Sequence, residues 1–216
     1  IITLDYGSGG KKTSRLIESM IVPALANPAL SELGDGAVIP GADKLVFSTD
    51  SFVVDPIFFP GGSIGKLSVC GTVNDIAMCG GEPKYRSCAF IIEEGFAAED
   101  LARIVASIRA AADAAGVAVV TGDTKVVERG HADGVFINTA GVGLVPAGVN
   151  LSGRNCKPGD KVLVCSAGRF GSLLAEIATR VGGDVTVITK EWGHVFELAE
   201  IKAAIDEVQP KLVCTV

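Results

Sequence analysis

The pattern that most restricts the fold is a run of apolar residues at helical spacing between residues 99 and 115. Acidic residues lie in its first turn and Gly116 follows it, and both are usual signals for the ends of a helix. Short apolar segments at residues 87–92 and 117–120 flank this helix and predict strands. A helix between strands buries its apolar stripe on a sheet, so the pattern indicates an α+β or α/β fold.

The rest of the first 150 residues continues this mixture of helices and strands. Apolar spacing predicts a helix that ends near Asn27 and Pro28, a strand at residues 44–50 and a second helix at 64–78. Residues 134–145 alternate like a strand, and we expect Gly141 and Gly143 to bend it. Asp50 then lies at the end of a predicted strand, next to a loop. Residues 121–125 directly follow the predicted strand 117–120, and we expect them to form a loop.

The pattern changes near residues 152–160. From residue 161 the predicted order is strand, helix, strand, helix, strand, each as long as a compact α/β unit allows. We therefore predict an N-terminal domain over residues 1–155 and a short βαβαβ segment over 156–216. The last strand, 211–216, is predicted to be buried.

Charge and cysteine content limit the possible partners. The 216 residues carry a formal net charge of −6, which gives no electrostatic footprint for nucleic acid or an anionic membrane. No stretch indicates a membrane span. Six dilute cysteines without a Cys-x-x-Cys pair are typical of a reducing cytoplasm rather than of a disulfide scaffold or a zinc site.

Four aspartates stand at the edges of apolar segments, beside glycine or small residues: Asp35, Asp50, Asp75 and Asp123. If the fold brings them together, their mutual repulsion requires a cation. Mg²⁺ is the natural cation, since it accepts carboxylates and leaves positions for the phosphate oxygens of a nucleotide. The alternative is that they are turn and helix-cap aspartates, which explain most Asp residues beside glycine.

A glycine segment near the N-terminus could bind phosphate. Residues 7–11 could offer backbone N–H groups and Lys11 at a helix start, but they lack the Walker spacing, and a plain glycine linker looks the same. Lys66 and Lys125 are further candidates for phosphate contact, and each could equally be a solvated surface lysine.

Several long motifs in order resemble one family. They are Phe47-Ser-Thr-Asp-Ser-Phe-Val-Val54, Phe58-Phe-Pro-Gly-Gly62, Val69-Cys-Gly-Thr-Val-Asn-Asp-Ile-Ala-Met78, Phe90-Ile-Ile-Glu-Glu-Gly-Phe96 and Val119-Val-Thr-Gly-Asp-Thr-Lys-Val-Val-Glu-Arg129. Over about residues 2–157 the chain resembles the HypE family of hydrogenase maturation factors. After about residue 159 this resemblance ends.

The resemblance implies the fold of the aminoimidazole ribonucleotide synthetase-like superfamily, with a mixed sheet, homodimers that pair N-terminal domains, and use of ATP with Mg²⁺. It implies a metal set of Asp35, Asp50, Asp75 and Asp123. It implies nucleotide contacts from Gly9, Gly10, Lys11, Asp50, Lys66, Asn74 and Thr124. The residues with implied catalytic roles are Asp75, Asp123 and Lys125.

The resemblance also implies an activity and partners. In the family a HypF partner carbamoylates a C-terminal cysteine, and ATP then activates the carbamoyl oxygen so that elimination leaves a protein-bound thiocyanate. Cyanide passes to iron held by HypC and HypD. Phosphorylation suits this chemistry because it turns a poor leaving group into a good one.

The later part of the chain contains Val162-Leu-Val-Cys-Ser-Ala-Gly-Arg-Phe-Gly171 and Lys190-Glu-Trp-Gly193. With these motifs, residues 161–216 resemble instead a fragment of the large domain of class V aminotransferases. The segment is either a junction of unrelated pieces or a divergent domain. Cys214 could stand in for the acceptor cysteine, or it could be a buried structural cysteine. Two other functions therefore stay open: a non-catalytic dimerisation and docking module of the maturation machinery, and an ATP-using relative such as a small-molecule kinase.

Overall fold

The computed structural model describes residues 1–34 and 36–215, and the chain divides into two compact units between Leu151 and Ser152. The predicted metal ligand Asp35 lies outside the described residues. Within the described ranges, no helix is long and apolar enough to cross a membrane. The division of the chain falls four residues before the predicted boundary at 155/156.

The first unit begins with an interrupted helix and continues with a sheet and two long helices. The interrupted helix consists of α1 (Lys11–Leu16), a π-helical turn (Ile17–Ile21) and α2 (Val22–Leu25). The other elements are β1 (Leu45–Phe52), β2 (Phe58–Phe59), β3 (Gly62–Ser63), α3 (Ile64–Met78), β4 (Glu82–Glu93), α4 (Ala98–Ala115), β5 (Ala118–Val127) and β6 (Val135–Leu144).

The main sheet of this unit has the strand order β1-β6-β4-β5. β6 is antiparallel to both of its neighbours, whereas β4 and β5 are parallel. The parallel pair follows from α4, which connects the two strands as a crossover helix. The sheet is therefore mixed, and the predicted α+β fold class is confirmed.

The two faces of this sheet differ. Buried side chains such as Phe90 and Ile137 form one core with Val69 and Ile104 of α3 and α4, and we call this side the helix face. The opposite side, the open face, carries the alternate residues of each strand. Leu45 and Phe47 of β1 alternate with the helix-face residues, and Phe47 is 70% exposed. The open face thus presents an apolar surface at the β1 edge.

α3 lies very close to β6 because two positions of the strand have no side chain. A Cβ atom at Gly143 would lie 2.2 Å from Cγ2 of Ile76, and one at Gly141 would lie 2.6 Å from Cγ2 of Thr72. Both glycines remain in register opposite β1, whereas the register with β4 shifts beside Gly143, between Pro83 and Tyr85. The bend of this strand stays a prediction. The absent side chains of the two glycines make room for the helix.

The second unit has the predicted alternation of strands and helices. Its elements are β7 (Lys161–Ser166), α5 (Arg169–Arg180), β8 (Asp184–Thr189), α6 (Leu198–Val208) and β9 (Leu212–Thr215). The three strands are parallel in the order β8-β7-β9. Only the central strand is mostly buried; β9, with Cys214, lies at an edge and is half-exposed. The expectation that the last strand is buried is therefore wrong.

We expect Gly143→Ala to destabilise the first unit by about 2–3 kcal/mol, because the added methyl group would force α3 away from β6. Gly41→Ala is the matched control, since a Cβ atom there would meet nothing within 4 Å. Urea denaturation of both variants measures the difference. Equal stability of the two variants would contradict the close approach of α3 to β6.

Candidate functional site

Two of the predicted metal ligands lie where α3 packs on β1. A Cβ atom at Gly71 would lie 3.1 Å from Oδ2 of Asp50, so this carboxylate lies directly against the helix backbone. One turn further along α3, Oδ2 of Asp75 accepts a hydrogen bond from Oγ of Ser48 at 2.9 Å. Ser48 and Asp50 share one face of β1, since they are two residues apart. We call Asp50 and Asp75 the carboxylate pair.

The carboxylate pair has neutral hydrogen-bond donors as its identified contacts. Oδ1 of Asp50 accepts from the backbone N–H of Ser51 at 2.8 Å, and Asp75 accepts from Ser48. Among the described residues, no basic side chain forms an ion pair with either carboxylate. Two carboxylates without a basic partner are a donor set that suits Mg²⁺, which often takes one or two carboxylates together with phosphate oxygens.

The predicted residues Asp123, Thr124 and Lys125 lie within β5 rather than in a loop after a strand. β5 continues to Val127 because it stays paired with β4 throughout. Thr124 faces the helix side and is 6% exposed, whereas Asp123 and Lys125 alternate with it and are largely exposed. Nζ of Lys125 lies 3.6 Å from Oδ2 of Asp123.

Asp123 is separated from the carboxylate pair. Asp50 likewise lies inside a strand, opposite Thr139, and β6 and β4 stand between β1 and β5. Three strand spacings amount to about 14 Å. Asp123 also pairs with Ala89, which belongs to the open face, while Asp50 lies on the helix face. In the part of the chain that the structure describes, no group of three His, Cys, Asp or Glu side chains is close enough to hold a metal.

The glycine segment packs against β5. A Cβ atom at Gly7 would lie 2.4 Å from the backbone nitrogen of Val126, so the segment touches the strand edge directly. The N–H of Gly9 donates to Oγ1 of Thr13 at 3.1 Å. Lys11 begins α1 and is exposed. The structure therefore brings Gly9 to the same strand as Asp123 and Lys125, with one of its N–H groups already paired within the segment.

A cleft of about 230 Å³ lies between this N-terminal region and β5. Its polar lining comes from Gly9, Thr13, Asp123, Thr124 and Lys125. Its apolar lining includes Ile17, Ile21, Leu25, Leu33, Phe90 and Val119. Gly34 and Gly36, the described neighbours of Asp35, also line it. Apolar walls with a few polar groups are typical of a small-molecule site.

Two predicted phosphate or nucleotide contacts lie elsewhere on α3. Nζ of Lys66 donates to the carbonyl oxygen of Gly61 at 3.0 Å, in the first turn of the helix. Asp75 is nine residues further along, which corresponds to about 13 Å. Asn74 is exposed and directly precedes Asp75. Adjacent residues of a helix point in different directions, so Asn74 and Asp75 do not face the same way.

Two polar residues of these sites were not singled out from the sequence. Ser48 lies two residues before Asp50, and the period-two alternation of a strand was the available signal. Thr13 lies four residues after Gly9, within reach of one helical turn, and the cap preference for Thr was its signal. Ser48 donates a hydrogen bond to the predicted metal ligand Asp75, and Thr13 accepts one from Gly9 of the glycine segment.

We expect Thr13→Val to lower the free energy of unfolding by about 1–2 kcal/mol, because the N–H of Gly9 would lose its acceptor. Thr13→Ser keeps the hydroxyl group and is the control. Hydrogen exchange at Gly9 gives the local readout and denaturation gives the global one. If the Gly9 N–H is equally protected from hydrogen exchange in Thr13→Val and Thr13→Ser, the bond from Gly9 to Thr13 does not stabilise the glycine segment.

The fold and these elements correspond to a known family. Residues 33–145 match the family described as AIR synthase related protein, N-terminal domain, and the chain belongs to this family. The match includes β1, α3, β4, α4 and β5, so it contains both the carboxylate pair and Asp123.

Among the proteins that this chain resembles are HypE proteins. The chain is 46% identical to the carbamoyl dehydratase HypE of Escherichia coli (strain K12) over 195 residues, covering 87% of this chain and 58% of that protein. A crystal structure of HypE in complex with ATP has a TM-score of 0.73 and 51% identity, covering 74% of this chain and 48% of that one. A crystal structure of a HypE–HypF complex has a TM-score of 0.55 and 41% identity, covering 90% of this chain and 62% of that one.

The resemblance to HypE is thus confirmed, and its extent is corrected. Similarity over 87% of the chain reaches past residue 157, where we expected it to end. The chain spans about half to three fifths of the length of these relatives. Alanine–glyoxylate aminotransferase from Nostoc sp. is 42% identical over 28% of this chain and 16% of that one, with a TM-score of 0.27.

Proposed function

We propose that this chain is the ATP-binding part of a HypE-like carbamoyl dehydratase, which forms protein-bound thiocyanate for the cyanide ligands of [NiFe]-hydrogenase. The observation that carries the proposal is the carboxylate pair, Asp50 and Asp75, in a chain similar to a HypE solved with ATP. Two acidic groups with neutral partners suit a metal–triphosphate ligand.

The carboxylate pair would hold Mg²⁺, which supplies charge neutralisation for the transferring phosphoryl group. Asp50 meets α3 at Gly71, and Asp75 is one turn further along, a rise of about 6 Å. Because oxygen ligands lie about 2.1 Å from Mg²⁺, the two side chains would turn toward each other to share one ion. The residues fit the ion because each carboxylate has an oxygen with no identified protein donor. Asp35, which lies outside the described residues, remains a proposed ligand of the ion.

The cleft beside β5 is a second, separate candidate for nucleotide contact, because β6, β4 and the packed core lie between it and the carboxylate pair. Its apolar walls suit a base, while Lys125 and the N–H groups near Gly9 and Gly10 suit oxygen atoms. Lys11 and Thr124 complete the polar side of this proposed site. Lys66 and Asn74 remain predicted contacts; the bond of Lys66 to Gly61 would have to open for it to reach phosphate.

The proposed assembly includes a second copy of the chain and other proteins. The apolar open face, with Phe47 exposed, supports a homodimer that pairs two sheets. A HypF-like carbamoyltransferase is the proposed partner that loads the cysteine, in keeping with the solved complex of HypE and HypF. A HypC–HypD-like scaffold would receive the cyanide, and the cytoplasm, where ATP is available, is the proposed location.

We expect Asp50→Asn and Asp75→Asn each to weaken binding of ATP in the presence of Mg²⁺ by about tenfold or more, because one anionic ligand of the ion is lost. Isothermal titration calorimetry with Mg²⁺ and with EDTA measures the effect. In Asp75→Asn the amide oxygen still accepts from Ser48, so the local fold is preserved.

Asp113→Asn is the matched control for these variants. Asp113 is an exposed aspartate of α4 that pairs with Arg109, outside both proposed sites. Its variant should bind ATP with Mg²⁺ as tightly as the unaltered chain. If Asp50→Asn and Asp75→Asn also bind as tightly, the proposed magnesium site is excluded. Asp123→Asn then tests the cleft separately from the carboxylate pair.

The reaction itself is tested by incubating the chain with a HypF-like transferase, carbamoyl phosphate and ATP. Mass spectrometry should find a thiol that is first carbamoylated and then dehydrated to a thiocyanate, and it also reports whether Cys214 is that thiol. Binding of the transferase without dehydration would favour a docking module instead. Transfer of phosphate to a free small molecule would favour a kinase.

A further inference from the structure

The hydroxyl group of Ser48 is the identified protein contact of the Asp75 carboxylate. Oγ of Ser48 donates to Oδ2 of Asp75 at 2.9 Å, although the two residues are 27 positions apart in the chain. Asp75 itself is exposed on α3, where an aspartate side chain has several rotamers available. The bond to Ser48 selects the rotamers in which the carboxylate points at β1.

Two contacts join α3 to β1, and their spacing agrees in both elements. Asp50 meets the helix at Gly71, where a Cβ atom would lie 3.1 Å from Oδ2 of the carboxylate. Along α3, Asp75 is one turn further on, a rise of about 6 Å. Along β1, Ser48 is two residues back, a distance of about 7 Å. The strand and the helix therefore run side by side in opposite directions, and this alignment brings Ser48 to Asp75.

The bond from Ser48 also decides which carboxylate oxygens remain for a ligand. Ser48 uses Oδ2 of Asp75, and the backbone N–H of Ser51 uses Oδ1 of Asp50. Within the described ranges, the other oxygen of each carboxylate has no identified donor. Ser48 and Asp50 lie on one face of β1, so the bond keeps the Asp75 carboxylate on the same side of the strand as Asp50. β1 thus supplies one carboxylate and the donor that orients the other.

We infer that Ser48 is a positioning residue for a divalent cation, and that it acts by holding the Asp75 carboxylate beside Asp50. This role rests on the proposed function, because it places Ser48 at the same magnesium site. Groups that hydrogen-bond to metal ligands typically change metal affinity by about 10- to 100-fold when they are removed. Loss of the hydroxyl group would free the Asp75 side chain, so the ion would have to order it on binding.

Binding of Mn²⁺ in the absence of nucleotide tests this role without any enzyme activity. Electron paramagnetic resonance measures free Mn²⁺ and gives a dissociation constant for each variant. Ser48→Ala should weaken Mn²⁺ binding about tenfold, and Ser48→Thr, which keeps the hydroxyl group, should restore most of the affinity.

Thr49→Ala is the matched control for Ser48→Ala. Oγ1 of Thr49 donates to the backbone oxygen of Thr139 at 2.8 Å and not to a carboxylate. Its variant removes a hydroxyl group from the same strand and should bind Mn²⁺ like the unaltered chain. Equal Mn²⁺ affinity of Ser48→Ala and Thr49→Ala would overturn the role of Ser48, whatever their stabilities in urea.

A double-mutant cycle shows whether Ser48 acts through Asp75. In an Asp75→Ala background the hydroxyl group has no carboxylate to orient, so Ser48→Ala should cause no further loss of Mn²⁺ affinity. A further tenfold loss in that background would mean that Ser48 acts on the ion by itself, and a positioning role would be excluded.

The same titrations separate this role from the proposed function. If Asp50→Asn and Asp75→Asn weaken Mn²⁺ binding while Ser48→Ala does not, the metal site stands and the role of Ser48 is excluded. If Mn²⁺ binds with the expected dependence on Ser48 but ATP does not bind, the role stands and the nucleotide proposal fails. If the unaltered chain does not bind Mn²⁺, both proposals fail.

Discussion

The close approach of α3 to the sheet is the constraint on which the rest of the first unit depends. Gly141 and Gly143 let the helix lie directly on β6, and Gly71 lets the helix meet β1 at Asp50. Without these gaps the helix would stand further from the sheet, and Ser48 could not reach Asp75. One packing contact therefore both fills the core and positions the carboxylate pair, since the elements are rigid and interiors are close-packed.

The long elements could be predicted because their signals are local. The apolar period predicted the observed bounds of α3 and those of α4 to within one residue. β5 was predicted too short, because Gly122 and Asp123 interrupt the apolar run while the pairing with β4 continues. Pairing with β4 thus outweighed the low strand propensity of Gly122 and Asp123.

The geometry of the site could be predicted only in part. The sequence identified Asp50, Asp75 and Asp123 as residues at the edges of apolar segments, but it could not assign them to a face of the sheet. The strand order β1-β6-β4-β5 does not follow the chain, so neighbours along the sequence are not neighbours in the sheet. Arg86 shows the same limit, because an arginine in a strand is expected to be exposed and here is enclosed.

The position of β1 at the edge of the sheet has a consequence for how the protein is made. Its one partner strand is β6, and Asp50 lies opposite Thr139, 89 residues later in the chain. During synthesis β1 stays unpaired until β6 has been synthesised and has left the ribosome. Contacts between such distant residues form slowly. The carboxylate pair is therefore assembled among the last features of this unit, and in a nascent chain that ends before β6 the strand that carries Asp50 is still unpaired.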